Sequence, residues 1–138
     1  MIVKENTKQK VNSAFEVSRI LSAILDTDSE IDRDKEHFWI IGLNTKNAIK
    51  FIDLVSLGTL TASVVHPREV FRLAVNRGVA NIIAGHNHPS GDPAPSRDDV
   101  AVTERLKKAG DILGIALLDH VIIGSDGQFT SLKEQGIL

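Results

Sequence analysis

Residues 81–113 run from an apolar stretch into His86-Asn87-His88, through a loop holding three of the chain's four prolines, and into a segment with helical apolar spacing. A strand that passes through a stiff connection into a helix is a building unit of α/β folds, so this stretch constrains the architecture more than any other. It also concentrates chemistry. On a strand alternate side chains share a face, so His86 and His88 can present two nitrogens to one point. Catalytic zinc takes three nitrogen or oxygen ligands and leaves a fourth position to water, and Asp99 would complete such a set. Ser96 to Asp99 also reads as a variant helix capping box, with serine at the N-cap and an acid in the first turn. Taken alone, the cap is the better-supported reading. The two are compatible, because a cap fixes the first turn and can aim Asp99 back at the histidines.

With 138 residues, 42% hydrophobic and 25% charged, the chain is read as one soluble globular domain able to bury a core without disulfides. The absence of cysteine excludes a disulfide framework, a thiolate zinc finger and a cysteine nucleophile. Any zinc must then be held by nitrogen and oxygen. A net charge of −2 and 4% aromatic residues supply neither long-range attraction to nucleic acid nor a stacking platform for single strands. The first residues lack a signal-peptide core and no apolar run reaches membrane-spanning length, so a cytoplasmic protein with no membrane association is expected.

Residues 1–10 are polar and are expected to fray. Val17, Ile20, Leu21, Ile24 and Leu25 follow helical spacing after a capping-box start at Ser13, predicting a docking helix over 13–25. Residues 26–36 carry six acids and read as a solvated connector. Residues 37–43 and 48–57 read as a hairpin around a turn at 44–47, and 61–65 as a short β-branched strand. Pro67 opens a helix through about Asn76 that Gly78 ends; a strand follows over 81–88. A helix over 96–113 uses Val100, Val102, Leu106, Ala109 and Leu113 for its apolar side, and Gly114 closes it. A final strand over 115–123 turns at 124–127 into 128–130. Alternation after an initial hairpin predicts an α/β sandwich with a mixed sheet.

Efficient hydrolysis also requires a carboxylate to move protons. Glu36, Glu69, Glu104, Asp92 and Asp98 are candidates. Glu104 lies about a turn and a half past Asp99, Glu69 sits where a helix N-terminus favours negative charge, and Glu36 stands at the mouth of a buried strand. Spacing alone leaves the choice open.

Glu36-His37-Phe38, Gly58-Thr59, His66-Pro67-Arg68-Glu69, the run His86-Asn87-His88-Pro89-Ser90-Gly91-Asp92-Pro93-Ala94-Pro95-Ser96 with Asp99, and Asp119-His120-Val121-Ile122-Ile123-Gly124 together resemble the RadC family. That family belongs to the JAMM metalloprotease group of Jab/MPN domains, and the resemblance covers residues 12–138. It implies a three-layer α-β-α sandwich with a mixed sheet, similar to cytidine deaminase. Residues 1–35 would form an N-terminal tail, docking helix and acidic connector, and 36–138 the RadC-like JAMM/MPN domain. The resemblance also implies His86, His88 and Asp99 as ligands of Zn2+, Ser96 as a hydrogen-bond donor to the transition state, and Glu36 as general acid and base. For Glu36 to meet the histidines, its strand should run antiparallel to theirs.

A metal-dependent hydrolase acting on a peptide or protein substrate, as peptidase or isopeptidase, is therefore the first expectation. The alternatives are a DNA-repair-associated nuclease or accessory, a noncatalytic MPN scaffold and, last, a zinc deaminase, which wants a Pro-Cys-x-x-Cys this chain lacks. The chain departs from many family members in carrying a short helix and acidic connector ahead of Glu36 where they carry a helix-hairpin-helix segment, so DNA association is not assumed. Edge strands leave a homodimer open. His120 beside Asp119 reads as structural, with a supporting partner of the metal site as the alternative. His66 reads as the residue leading into a helix, His37 as a strand-edge side chain, Arg68 as an ion-pair former, and Asp92 and Asp98 as loop and helix-dipole residues.

Overall fold

The computed structural model describes residues 1–58, 60–61 and 64–138. The elements in chain order are β1 (Ile2–Glu5), α1 (Ala14–Asp26), α2 (Glu30–Arg33), β2 (His37–Leu43), β3 (Ile49–Leu57), α3 (Pro67–Val70), α4 (Arg72–Arg77), β4 (Asn81–Asn87), α5 (Arg97–Leu113), β5 (Ala116–Ile123) and β6 (Phe129–Ser131). Among the described residues six strands form one sheet in the order β1-β3-β2-β4-β5-β6. Only β4 and β5 run parallel, with α5 as their crossover; the other pairs are antiparallel, so the sheet is mixed. Among the described residues, no helix is long and apolar enough to cross a membrane.

Helices cover both faces of the sheet, and the strand period of two sorts the side chains between them. Trp39, Ile41 and Leu43 of β2 pack with Val17, Ile20 and Leu21 of α1. Phe38 and Ile40 face the other way, toward Val70 and Phe71 and toward Val102 and Leu106 of α5. This makes β2 a central strand buried along its whole length, which is why its sequence is continuously apolar rather than alternating. Trp39, Phe38 and Leu21 are among the largest fully buried side chains, each contributing roughly 1.5–3 kcal/mol by leaving water. The protein is an α/β three-layer sandwich, as its sequence predicts.

β4 obeys the same alternation: Ile82 and Ala84 join the α5 side, while Ile83 faces α1. His86 therefore points toward α5 and Asn87 toward α1. In β5 the pairing slips by one residue, Ile82 opposite Leu117 but Ile83 opposite Asp119. This bulge reverses the phase of the strand, so that Leu117 and His120 both face α5.

The structure corrects several expectations. Residues 1–10 are not frayed throughout: β1 pairs with β3, and Lys10 bridges Ala48. The helix expected over 67–76 is split at Phe71, which lets the consecutive side chains Val70 and Phe71 both enter the core. Gly78 ends α4 in the left-handed conformation its φ of 61° requires. Leu113, assigned to the apolar side of α5, is about half exposed at 49%. The strand expected over 61–65 includes Ala62 and Ser63, which lie outside the described residues, as does Thr59. Arg68 is exposed and makes no ion pair among the described residues.

Candidate metal centre

β4 and α5 build the centre from opposite sides of the proline-rich loop. At the end of β4, His86 and His88 share a face with their Nε2 atoms 2.9 Å apart. At the start of α5, Ser96 Oγ accepts a hydrogen bond from the Asp99 amide at 3.1 Å while the Asp99 carboxylate accepts one from the Ser96 amide at 2.7 Å. This closes the capping box, and the same carboxylate reaches both imidazoles: Oδ1 lies 3.0 Å from His86 Nε2 and Oδ2 3.0 Å from His88 Nε2. Cap and cluster are one arrangement. The candidate ligand atoms of His86, His88 and Asp99 all lie within 4.8 Å of one another, with His86 and Asp99 buried and His88 half-buried.

The loop between the elements is braced on the β5–β6 turn. The His88 amide donates to Ile123 O at 3.0 Å and the Ser125 amide to Gly91 O at 2.9 Å. Gly91 has a φ of 92°, which only glycine adopts readily. His88 Nδ1 lies 2.8 Å from the Asp92 carbonyl, which can only accept, so Nδ1 carries the proton and a neutral His88 keeps a bare Nε2. Asp92 thus acts through its backbone.

Electrostatics fit a site made for a cation. Burial alone would raise the Asp99 carboxyl, but the two imidazoles beside it and the Ser96 backbone amide outweigh it and hold the group far below the usual carboxylate range. The hydrogen bond to Asp99 raises His88 above an ordinary histidine, against its partial burial. A proton or a metal has to sit among these atoms, because bare lone pairs at such distances repel. Two imidazole nitrogens and a carboxylate oxygen, with no sulfur, suit divalent zinc. Tetrahedral bonds of about 2.0–2.1 Å would separate donors by roughly 3.3 Å, a few tenths beyond what is observed. The residues present fit the ion.

Beside the cluster opens a cleft of about 350 Å³ lined by Glu36, His88, Pro89, Ser90, Asp92, Ala94 and Ser96. β2 runs antiparallel to β4 with Phe38 opposite His86, as the meeting of Glu36 with the histidines demands. Glu36 Oε2 accepts from the Leu60 amide at 2.7 Å, which fixes the carboxylate at the cleft. Of the other acids shortlisted from sequence, Glu69 lines a separate hollow with Arg72, and Asp98 and Glu104 are exposed on α5.

Sequence reasoning gave no role at this centre to Asn87, placed His37 at a strand edge, and set a structural role for His120 above a supporting one. His37 is not a strand-edge side chain: it is buried, stacked on Trp39, with Nε2 2.6 Å from Asp28 Oδ2 and Nδ1 2.9 Å from Lys35 O. Asn87, given no role from sequence, accepts at Oδ1 from the His37 amide at 2.6 Å and donates from Nδ2 to Lys35 O at 3.0 Å. It brackets Glu36 on both sides. His120 is fully buried, with Nε2 2.7 Å from His86 Nδ1, and burial followed by the neighbouring His86 pushes its pKa well below the ordinary value. Asp119, by contrast, points away and binds Ser131 Oγ at 2.6 Å and the Lys133 amide at 3.1 Å. His66 is the N-cap of α3 without a side-chain cap bond.

A family model described as "RadC-like JAB domain" matches residues 11–137. A UPF0758 protein of Caldanaerobacter subterraneus subsp. tengcongensis is 61% identical over 102 residues, covering 74% of this chain and 43% of the relative. One from Desulforamulus reducens is 55% identical over 107 residues, covering 78% and 47%. One from Methanococcoides burtonii is 48% identical over 137 residues, covering 99% and 57%. The chain spans about half the length of the curated relatives it matches.

Proposed function

Because the chain belongs to the RadC-like JAB domain family, we propose that it is a zinc-dependent hydrolase of amide bonds, a peptidase or isopeptidase acting on a peptide or protein substrate in the cytoplasm. The observation that carries this reading is the convergence of His86, His88 and Asp99 beside a cleft that also holds Glu36 and Ser96.

In this reading His86, His88 and Asp99 hold the ion. A divalent zinc bound there supplies Lewis acidity toward the carbonyl and brings water nearer to ionisation at neutral pH. Glu36 takes the proton of the attacking water and passes it to the departing amine nitrogen, so one carboxylate serves first as base and then as acid. Its bond from the Leu60 amide keeps it aimed at the cleft. Ser96 Oγ accepts from the Asp99 amide, which leaves its hydroxyl proton free to be offered to the substrate oxygen as charge develops.

Glu36→Gln separates binding from turnover. The variant should keep its zinc while losing about 10²–10⁴ in rate on a peptide or isopeptide substrate that the parent cleaves. Undiminished turnover would remove Glu36 from the mechanism; a zinc-loaded parent that cleaves no amide but acts on another bond would end the peptidase reading.

A further inference from the structure

Beneath the ligand cluster, on the side away from the cleft, stands a column of three fully buried polar side chains from three elements. Thr103 of α5, His120 of β5 and His86 of β4 are each 0% exposed. Thr103 Oγ1 lies 2.7 Å from the Asp99 carbonyl and 2.6 Å from His120 Nδ1, and His120 Nε2 lies 2.7 Å from His86 Nδ1. Neither Thr103 nor His120 has a task in the reaction described above.

Each short contact needs one hydrogen, and their sources can be counted. A carbonyl oxygen has no hydrogen, so the Thr103 hydroxyl must donate to Asp99 O. Its only hydrogen is then committed. The contact with His120 therefore uses a hydrogen on His120 Nδ1. A neutral His120 has no other, so its Nε2 can only accept, and the hydrogen between the two rings belongs to His86 Nδ1. In a neutral His86 the bare nitrogen is then Nε2, the atom that faces Asp99 and His88. The column ends on the carbonyl of the very residue whose carboxylate meets His86, so it closes a ring through β4, β5 and α5.

We propose that Thr103 and His120 are positioning residues that lock His86 in the Nδ1–H tautomer and hold it in register with Asp99, so that an arriving metal meets a bare Nε2 without rearrangement. The helix supplies the spacing, since Thr103 lies four residues after Asp99 on the same face. The bulge in β5 supplies the phase, since without it His120 would point toward α1. Phe38 closes the column edge-on to His120, with ring centroids 5.8 Å apart, and excludes water that could substitute for either partner.

This rests on His86 being a ligand, and the experiment separates the two. Thr103→Val keeps the side-chain shape and removes the hydroxyl; Thr103→Ser keeps the hydroxyl. Zinc affinity, measured by competition with a chromophoric chelator, should fall about 10–100-fold in the valine variant and stay near the parent in the serine variant. Nitrogen-15 chemical shifts of the imidazoles, read on metal-free protein at mildly alkaline pH, should report Nδ1–H at His86 in parent and Thr103→Ser, with Nε2–H gained in Thr103→Val. A parent showing Nε2–H at His86 overturns the proposal without recourse to any variant. A valine variant with parental affinity and parental tautomer overturns it while leaving the ligand set intact. A parent that binds no zinc overturns the ligand set as well.

Discussion

At the scale of single residues, the site depends on side chains that face away from it. Asn87 lies between the two candidate ligand histidines but projects to the opposite face, where its amide replaces the backbone ladder at the end of β4. One side-chain oxygen and one side-chain nitrogen hold the residues before and after Glu36. Asn87→Ala leaves the buried His37 amide without its acceptor, an unmet donor costing about 1–3 kcal/mol. The carbonyl of Lys35 keeps its contact with His37 Nδ1, so the loss falls mainly on one group. We expect lower stability to urea and a turnover loss out of proportion to any change in zinc affinity, because the ligands themselves are untouched. A variant that loses zinc binding and turnover in parallel would show that Asn87 supports the ligands rather than Glu36. The clustering of His86, His88 and Asp99 and the Ser96 cap were legible from spacing, since strand alternation and a capping box each prescribe where a side chain points, whereas a part for Ser96 in the chemistry came only from the family resemblance. By spacing Glu36 was only one of five acids; the family resemblance singled it out, and the antiparallel pairing of β2 with β4 brings it to the histidines' end of the sheet. Asn87 gave no signal, because an amide beside a proline-rich loop reads as a turn former whatever its partners. Thr103 carried a signal that went unused: four residues after Asp99, it had to share that helix face.

At the scale of elements, close approach of backbones sets the geometry. Gly110 of α5 lies so near the chain entering β5 that a Cβ there would overlap the backbone oxygen of Ile115 and lie 3.3 Å from Phe71 Cζ. Gly110→Ala gains up to about 1 kcal/mol of helix propensity but incurs roughly 1–3 kcal/mol of overpacking against a backbone atom that cannot swing aside. The clash should win, giving a lower urea midpoint. Gly85 offers a comparison, because the overlap there is with Leu21 Cδ1, the end of a side chain. Gly85→Ala should cost less; an order reversed between the two would show that α1 is the more rigid partner. Buried and amphipathic elements were legible, with β2, β4, α1 and α5 at nearly their read positions. β1 was not, because an exposed four-residue edge strand, Ile2-Val3-Lys4-Glu5, is too short to show an alternation of apolar and polar residues. The break at Phe71 and the bulge in β5 were also hidden, since both answer to tertiary packing rather than to local preference.

At the scale of the whole molecule, three coupled groups make stability depend on pH and on metal together. His88 is raised in the fold, so its contribution is complete below the unfolded value of about 6.5 and fades as pH rises through the folded one. His120 is lowered by burial, so the unfolded chain takes up its proton first and stability falls as pH drops below about 6.5. Asp99 is lowered too, and its contribution is lost only as pH falls below about 4. These signs place the metal-free maximum of this network near pH 6.5, with His88 limiting it above and His120 below. Zinc removes only the upper limit, because it needs the bare imidazole and displaces the proton that His88 holds. At a hundredfold excess over its dissociation constant, zinc should add about 2.7 kcal/mol, and more as pH rises across the His88 titration. Thermal melts over a pH series, with chelator and with zinc, should show a peak that becomes a plateau toward alkaline pH. Parallel curves in the two conditions would mean that the metal does not compete with the His88 proton, and His88 would then leave the ligand set.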